Sequence, residues 1–287
     1  MGLQIFIKQF LRTHMPESIH KRLSRIKKSW FIPSLEIAKL YRTEKRLPSN
    51  FHIQCIRSLE LQGISDEVLE SVIQDYRDFA FKHMRSVLDS IRVVSLIEAA
   101  RMSNELIGDL AECGVYQGSS SKIIRHFTDP AKNLHIFDTF TGFTIDDRNI
   151  ELKKGLKKDP GEQFTNTSKE LVKSRIFSGI NGFKMGFDEE SVVFHSGPVQ
   201  KTLETVKDIH FSFVHLDMDL YEPTRFALSF FIPRIVTNGI LLLHDYAVNN
   251  SGYRGVYEAT EDVDFSTMIG PFPFGDWSTA LFMKSKL

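Results

Sequence analysis

Asp109-Leu110-Ala111-Glu112-Cys113-Gly114-Val115-Tyr116-Gln117-Gly118-Ser119-Ser120 is a short apolar run that breaks at a glycine and reopens as a helix. Gly114 and Gly118 let the backbone turn tightly beneath a ligand and present amides from a helix N-terminus. Many turns hold such a pair, so its meaning depends on the next strand. That strand, Leu134–Asp138, ends on an acid that can accept hydrogen bonds from both ribose hydroxyls of a nucleoside. The glycines do not form Gly-x-Gly-x-x-Gly, which argues against a nicotinamide dinucleotide, and no Gly-Lys-Ser/Thr comes after them as in a P-loop. A nucleoside without a pyrophosphate needs neither.

Outward from this point, strand-like and helix-like runs alternate. Asp109–Cys113 precedes a helix near Ser120–Phe127. Val192–His195 precedes Val199–Lys207, and Phe211–Asp217 precedes Thr224–Arg234. Ile240–His244 precedes a helix near Tyr253–Val263. The strand runs are apolar on both faces, as a parallel sheet covered by helices requires. The pattern predicts an α/β fold: a Rossmann-like, mostly parallel twisted sheet with helices on both faces. The last run, Thr279–Lys284, has no helix after it and is expected to join antiparallel. One long connection, about 142–182, carries Lys153, Lys154, Lys157 and Lys158 beside Gly155, Pro160 and Gly161. It reads either as solvated surface or as a lid closing over a substrate, including one that bears a phosphate.

Residues 1–104 are expected to form a helical N-terminal extension, and 105–287 the nucleoside-binding domain. Ser65-Asp66-Glu67 looks like a helix start, with Val68, Leu69, Val72 and Ile73 forming an apolar stripe, and Val87 to Ala100 is a second helix. Neither holds a constellation of reactive side chains, so both read as scaffold or oligomer contact. Nearer the start, Ile19, Leu23, Ile26 and Trp30 recur at helical spacing in a basic stretch. Such a helix can pack on a neighbouring subunit or lie on an anionic membrane surface.

Composition narrows the class. The 287 residues are 42% hydrophobic and 25% charged, ordinary for a soluble enzyme. Lysine plus arginine balances aspartate plus glutamate at 36 each, which points away from nucleic acid as a partner. There are two cysteines; Cys113, inside a strand pattern, reads as a buried reduced thiol. No apolar run approaches the ~20 residues that cross a bilayer, and no signal peptide is evident. A cytoplasmic location is the expectation.

The densest polar cluster is Val214-His215-Leu216-Asp217-Met218-Asp219-Leu220-Tyr221-Glu222-Pro223-Thr224, followed one strand later by Leu243-His244-Asp245-Tyr246. Asp217, Asp219, His244 and Asp245 thus come from neighbouring strand ends. Carboxylates gathered in such number call for a cation, and an oxygen-rich donor set suits Mg²⁺ or Mn²⁺. The alternative is that Asp245 caps the next segment while Asp217 orients backbone amides.

Glu112-Cys113-Gly114-Val115, Phe137-Asp138-Thr139-Phe140-x-Gly142-Phe143, Asp217-x-Asp219-Leu220-Tyr221-x-x-Thr224 and Asp245-Tyr246 resemble, in order, the motifs of the macrocin O-methyltransferase family. The resemblance spans roughly residues 105–287. It implies an S-adenosylmethionine-dependent enzyme that methylates a hydroxyl of a sugar or glycoside, in a family with many metal-dependent, homo-oligomeric members. It also implies that Glu112, Gly114 and Gly118 line the methionine side of the cofactor, with Ser119 beside them where relatives often carry a second glycine. Asp138 would hold the ribose and Ser196 would lie near the adenine. Asp217 and Asp245 match metal ligands and Asp219 the base. His244 stands where relatives usually have an acid, which shifts the expected metal from Mg²⁺ towards Mn²⁺. Two other readings remain at this point: a catechol-type metal-dependent O-methyltransferase, and a non-catalytic nucleoside-binding or membrane-associated scaffold.

Overall fold

A computed structural model describes residues 87–285 apart from 157–160, 181–185, 247–253 and 274–278, together with Ser65 and parts of 67–75. The basic stretch near the start, expected to be a helix, lies outside the described residues, as do the other residues before Ser65. Helical backbone at Glu67, Val68, Ser71, Val72, Gln74 and Asp75, with Val68 and Val72 buried, agrees with the stripe expected there.

Seven strands form one sheet in the order β3-β2-β1-β4-β5-β7-β6. They are β1 (Asp109–Cys113), β2 (Leu134–Asp138), β3 (Val192–Ser196), β4 (Phe211–Leu216), β5 (Ile235–Leu243), β6 (Met268–Pro273) and β7 (Ala280–Lys284). The first five pair in parallel. β7 runs antiparallel to both β5 and β6. The expected Rossmann-like, mostly parallel sheet with an antiparallel last strand is therefore present. β6 was not expected, because Gly270, Pro271 and Pro273 punctuate it. Proline cannot donate to a ladder, and the sheet order puts this strand at an edge, where that loss is tolerated.

Among the described residues from Val87 onward, the α-helices are α1 (Val87–Arg101), α2 (Ser119–Phe127), α3 (Ile145–Lys153), α4 (Lys169–Phe177), α5 (Val199–Thr202), α6 (Tyr221–Phe231) and α7 (Arg254–Glu261). α1 packs against α2 and β5 and is buried at every position from Val93 to Ala100. It is a core helix in the same compact unit, residues 67–287, as the sheet. Phe231 of α6 meets Phe211 and Phe137 of the sheet edge-to-face at 5.0 and 6.2 Å, the arrangement aromatic quadrupoles favour. Cys113 is fully buried and free, and burial pushes its thiol pKa up.

The segment 142–182, read from sequence as one long connection, contains α3 and α4. Each starts on a side-chain cap, Thr144 accepting the Asp147 amide and Ser168 the Leu171 amide. α3 packs on α6 and α4 on α2.

Candidate active site

β1, β2 and β3 succeed one another in one direction across the sheet, and β4 and β5 in the other. The switch point lies between β1 and β4, where an open α/β sheet leaves a crevice beyond its carboxyl ends. A cavity of about 260 Å³ opens there. The backbone ladder extends past the strands to floor it: the amide of Gly114 donates to Phe137 O at 3.0 Å, Asp217 to Cys113 O at 2.9 Å, and His244 to Leu216 O at 2.9 Å. Gly114 has φ +80°, and a Cβ on it would collide with the Asp217 carbonyl. Only glycine lets the loops after β1 and β4 cross this closely.

Asp138 lines the cavity from the end of β2. Its Oδ2 accepts the amides of Val115 at 2.7 Å and Tyr116 at 3.1 Å, and its Oδ1 accepts the Phe140 amide at 2.7 Å. Burial raises its pKa, and the three amides pull it back. The Thr139 hydroxyl lies 3.5 Å from Oδ1, but its single proton has the shorter bond to Gly142 O at 2.6 Å, so of about four acceptor positions on the carboxylate one remains for a ligand hydroxyl.

Gly114, Ser119 and Asp138 line the cavity; Glu112, Gly118 and Ser196 do not. Glu112 is fully buried within the sheet, where Oε1 meets His215 Nδ1 at 2.8 Å and Oε2 accepts the Ser121 hydroxyl. These partners face one another because Glu112 and His215 are register neighbours on β1 and β4. Gly118 precedes α2 and packs against Val172 of α4. Ser119 Oγ accepts from Arg175 at 2.9 Å. Ser196 is exposed at the end of β3, and the next three residues, Gly197, Pro198 and Val199, reach the cavity in its place.

On the opposite wall Asp217, Asp219, His244 and Asp245 converge as expected. His244 Nδ1 lies 2.9 Å from Asp217 Oδ1 and 3.4 Å from Asp245 Oδ1. Burial opposes charge on this imidazole, but Asp217 and Asp245 outweigh it and hold the pKa well above the usual histidine value. Asp219 is buried, and burial followed by the charges of Asp217 and Asp245 pushes its carboxyl pKa far up. Asp245 moves the other way: burial opposes its charge, but His244 and the hydrogen bond with Asp219 prevail. Both Asp219 and Asp245 have φ above +50°, a conformation that non-glycine residues adopt rarely and that clusters at functional sites.

Asp217, His244 and Asp245 each offer a ligand atom, all within 4.8 Å of one another. That convergence fits a divalent cation, provided the imidazole gives up its proton as the ion enters.

Several cavity residues were not singled out from sequence. Arg92 reaches the cavity from α1, close enough to help hold Asp245 ionised. A lone arginine on an apolar helix carries no local signal. Phe143 and Phe164 come from the 142–182 segment, and Phe164 meets Tyr116 edge-on at 5.1 Å. The same stretch is tied to the loop after β1: Tyr116 Oη donates to Asn166 Oδ1 and Gln117 Nε2 to Asn166 O, both at 2.7 Å. Phe143 stood within a recognised motif, but nothing in its spacing gave it a role.

A model of the macrocin-O-methyltransferase family matches residues 54–269. The chain belongs to the macrocin-O-methyltransferase family. Among curated relatives of this family member, an 8-demethyl-8-(2,3-dimethoxy-alpha-L-rhamnosyl)-tetracenomycin-C 4'-O-methyltransferase of Streptomyces olivaceus is 27% identical over 177 residues, 58% of this chain. The match spans 65% of that relative's length. Among solved structures, the calicheamicin methyltransferase CalS11 superposes with a TM-score of 0.54 at 19% identity, covering 82% of this chain and 93% of that one. The O-methyltransferase NovP gives 0.51 at 19% identity, covering 69% and 81%. At these identities the likeness is one of fold.

Proposed function

We propose that this macrocin-O-methyltransferase family member transfers a methyl group from S-adenosylmethionine to a hydroxyl of a sugar or glycoside. The observation that carries the reading is that one cavity is lined both by a glycine turn with Asp138 and by Asp217, Asp219, His244 and Asp245. The sugar O-methyltransferase named among the relatives supports the substrate class.

An aliphatic hydroxyl is a poor nucleophile near pH 7 and must lose its proton as it attacks. Asp219 is the proposed acceptor. Burial and the charges of Asp217 and Asp245 raise its affinity for a proton, so it accepts the hydroxyl proton after giving up its own to solvent through the cavity it lines. Asp138 would hold the nucleoside end of S-adenosylmethionine in the same cavity that Asp219 lines. S-adenosylmethionine supplies the electrophilic methyl and carries its own leaving group, so no covalent intermediate with the protein is needed. Asp217, His244 and Asp245 are the residues that would hold a divalent cation, whose chemistry there would be to acidify and orient the hydroxyl.

Incubation with methyl-labelled S-adenosylmethionine and a panel of glycosides, nucleotide sugars and aryl diols tests the assignment. Label is expected on a sugar hydroxyl. Label on aryl diols alone would replace the reading with a catechol-type activity, and no transfer to any acceptor would overturn it.

A further inference from the structure

Glu151 brings a carboxylate to a place where the proposed chemistry has no use for a charge. It lies on α3, within the 142–182 segment, and is fully buried. Its Oε2 accepts the amide hydrogen of Tyr221 at 3.0 Å. Tyr221 is the first residue of α6, and Leu220 before it supplies no side-chain cap. The leading amides of a helix have no partner inside the helix, and Glu151 provides one from 70 residues away in the chain. The same carboxylate lies against Gly255 in the first turn of α7, where any Cβ would collide with it. An acceptor oxygen is needed at a helix N-terminus, and this carboxyl lies at the start of both α6 and α7. α6 follows the strand end bearing Asp217 and Asp219, and α7 follows the one bearing His244 and Asp245.

Beyond the Asp219–Asp245 side-chain hydrogen bond, the turn is held by short local contacts. Asp219 has φ +64°, and the Leu220 amide closes on Met218 O at 2.7 Å, two residues back. A buried acceptor fixing the Tyr221 amide therefore fixes the backbone turn from which the Asp219 carboxyl reaches Asp245. We infer that Glu151 is a positioning residue, which holds the N-terminus of α6, and with it Asp219, in register with the reacting hydroxyl. The inference rests on the reading of Asp219 as the base.

Three variants test it. Glu151→Ala is expected to lower kcat by about 10- to 100-fold at saturating acceptor, as ångström-scale misplacement does, while calorimetric affinity for S-adenosylmethionine stays within about threefold. Glu151→Gln should recover most of kcat, because its amide oxygen can still accept the Tyr221 N–H. Gly255→Ala sets a Cβ against both the carboxylate and the Tyr221 amide it holds, so it should lower kcat as Glu151→Ala does. Circular dichroism and melting select conditions where each protein is folded; should Glu151→Ala not fold, Gly255→Ala and Glu151→Gln carry the test. Unchanged kcat in folded Glu151→Ala or Gly255→Ala would overturn the inference, as would a loss of cofactor affinity equal to the loss of kcat. Absence of transfer by the unaltered protein would instead overturn the reading beneath it.

Discussion

The Asp138 carboxylate accepts the Val115 amide at 2.7 Å, fastening the loop after β1 to the end of β2. With Tyr116 and Phe140 also bound to it, this side chain shapes the nucleoside wall as well as facing it. Hydrogen bonds to a charged group contribute about 1.5–3 kcal/mol each. Asp138→Ala should therefore weaken S-adenosylmethionine binding by about tenfold or more and lower the melting temperature together. Asn at this position keeps one acceptor oxygen and should fall between. Calorimetric affinity equal to the unaltered protein would remove Asp138 from the site.

Asp219→Asn preserves size while removing the proton acceptor, so turnover should drop by about 10²–10⁴-fold, the range of general-base catalysis. Cofactor affinity should barely change. His244 is the rival base, and His244→Asn measured beside it across pH separates the two. Near-normal turnover in the Asp219 variant, with loss in the His244 variant at full cofactor occupancy, would transfer the role.

Chelation should suppress turnover if Asp217, His244 and Asp245 hold a cation. Mn²⁺ is expected to restore more activity than Mg²⁺, because imidazole suits the softer ion. His244→Asp should reverse that preference. Since Asp217 and Asp245 hold a proton on His244, metal affinity should weaken as pH falls. Full activity in chelator, with no metal found by elemental analysis, would dismiss the ion.

A second histidine predicts how stability depends on pH. His195 stacks on Phe137 with ring centroids 4.3 Å apart and bonds His135 at 3.1 Å. Burial, then the charges of His135 and Lys169, lower its pKa from 6.5 to about 4. Between those values the unfolded chain holds the proton and the folded chain does not. Stability from this group is thus complete above pH 6.5, falls as pH drops towards 4, and falls no further below. His195→Phe keeps the stack and should flatten that part of the melting-temperature profile. An identical slope in variant and parent would contradict the assignment.

The parallel core and the acid cluster were legible because each rests on local pattern. β1 to β5 are largely apolar runs, and Asp217, Asp219, His244 and Asp245 sit where such strands run out. What stayed hidden depends on register or on distant packing. Glu112 looks like a turn acid in the chain, yet its partner His215 is visible only once β1 and β4 are aligned. Arg92 needed the placement of α1 beside the sheet. The caps at Thr144 and Ser168 announce α3 and α4, but lysines and glycines between them give the stretch the texture of a loop.

β7 comes after β6 in the chain yet lies between β6 and β5 in the sheet. Until Ala280–Lys284 arrives, one side of β5 is an open row of amides and carbonyls flanked by buried Leu241, Leu242 and Leu243. Such an edge is a template for pairing with another molecule. The strand that closes it is synthesised after every other strand of the sheet, so a nascent or clipped chain lacking these five residues would be prone to self-association. Expression tags, proteolysis and frameshifts near residue 280 therefore threaten solubility more than their distance from the cavity suggests.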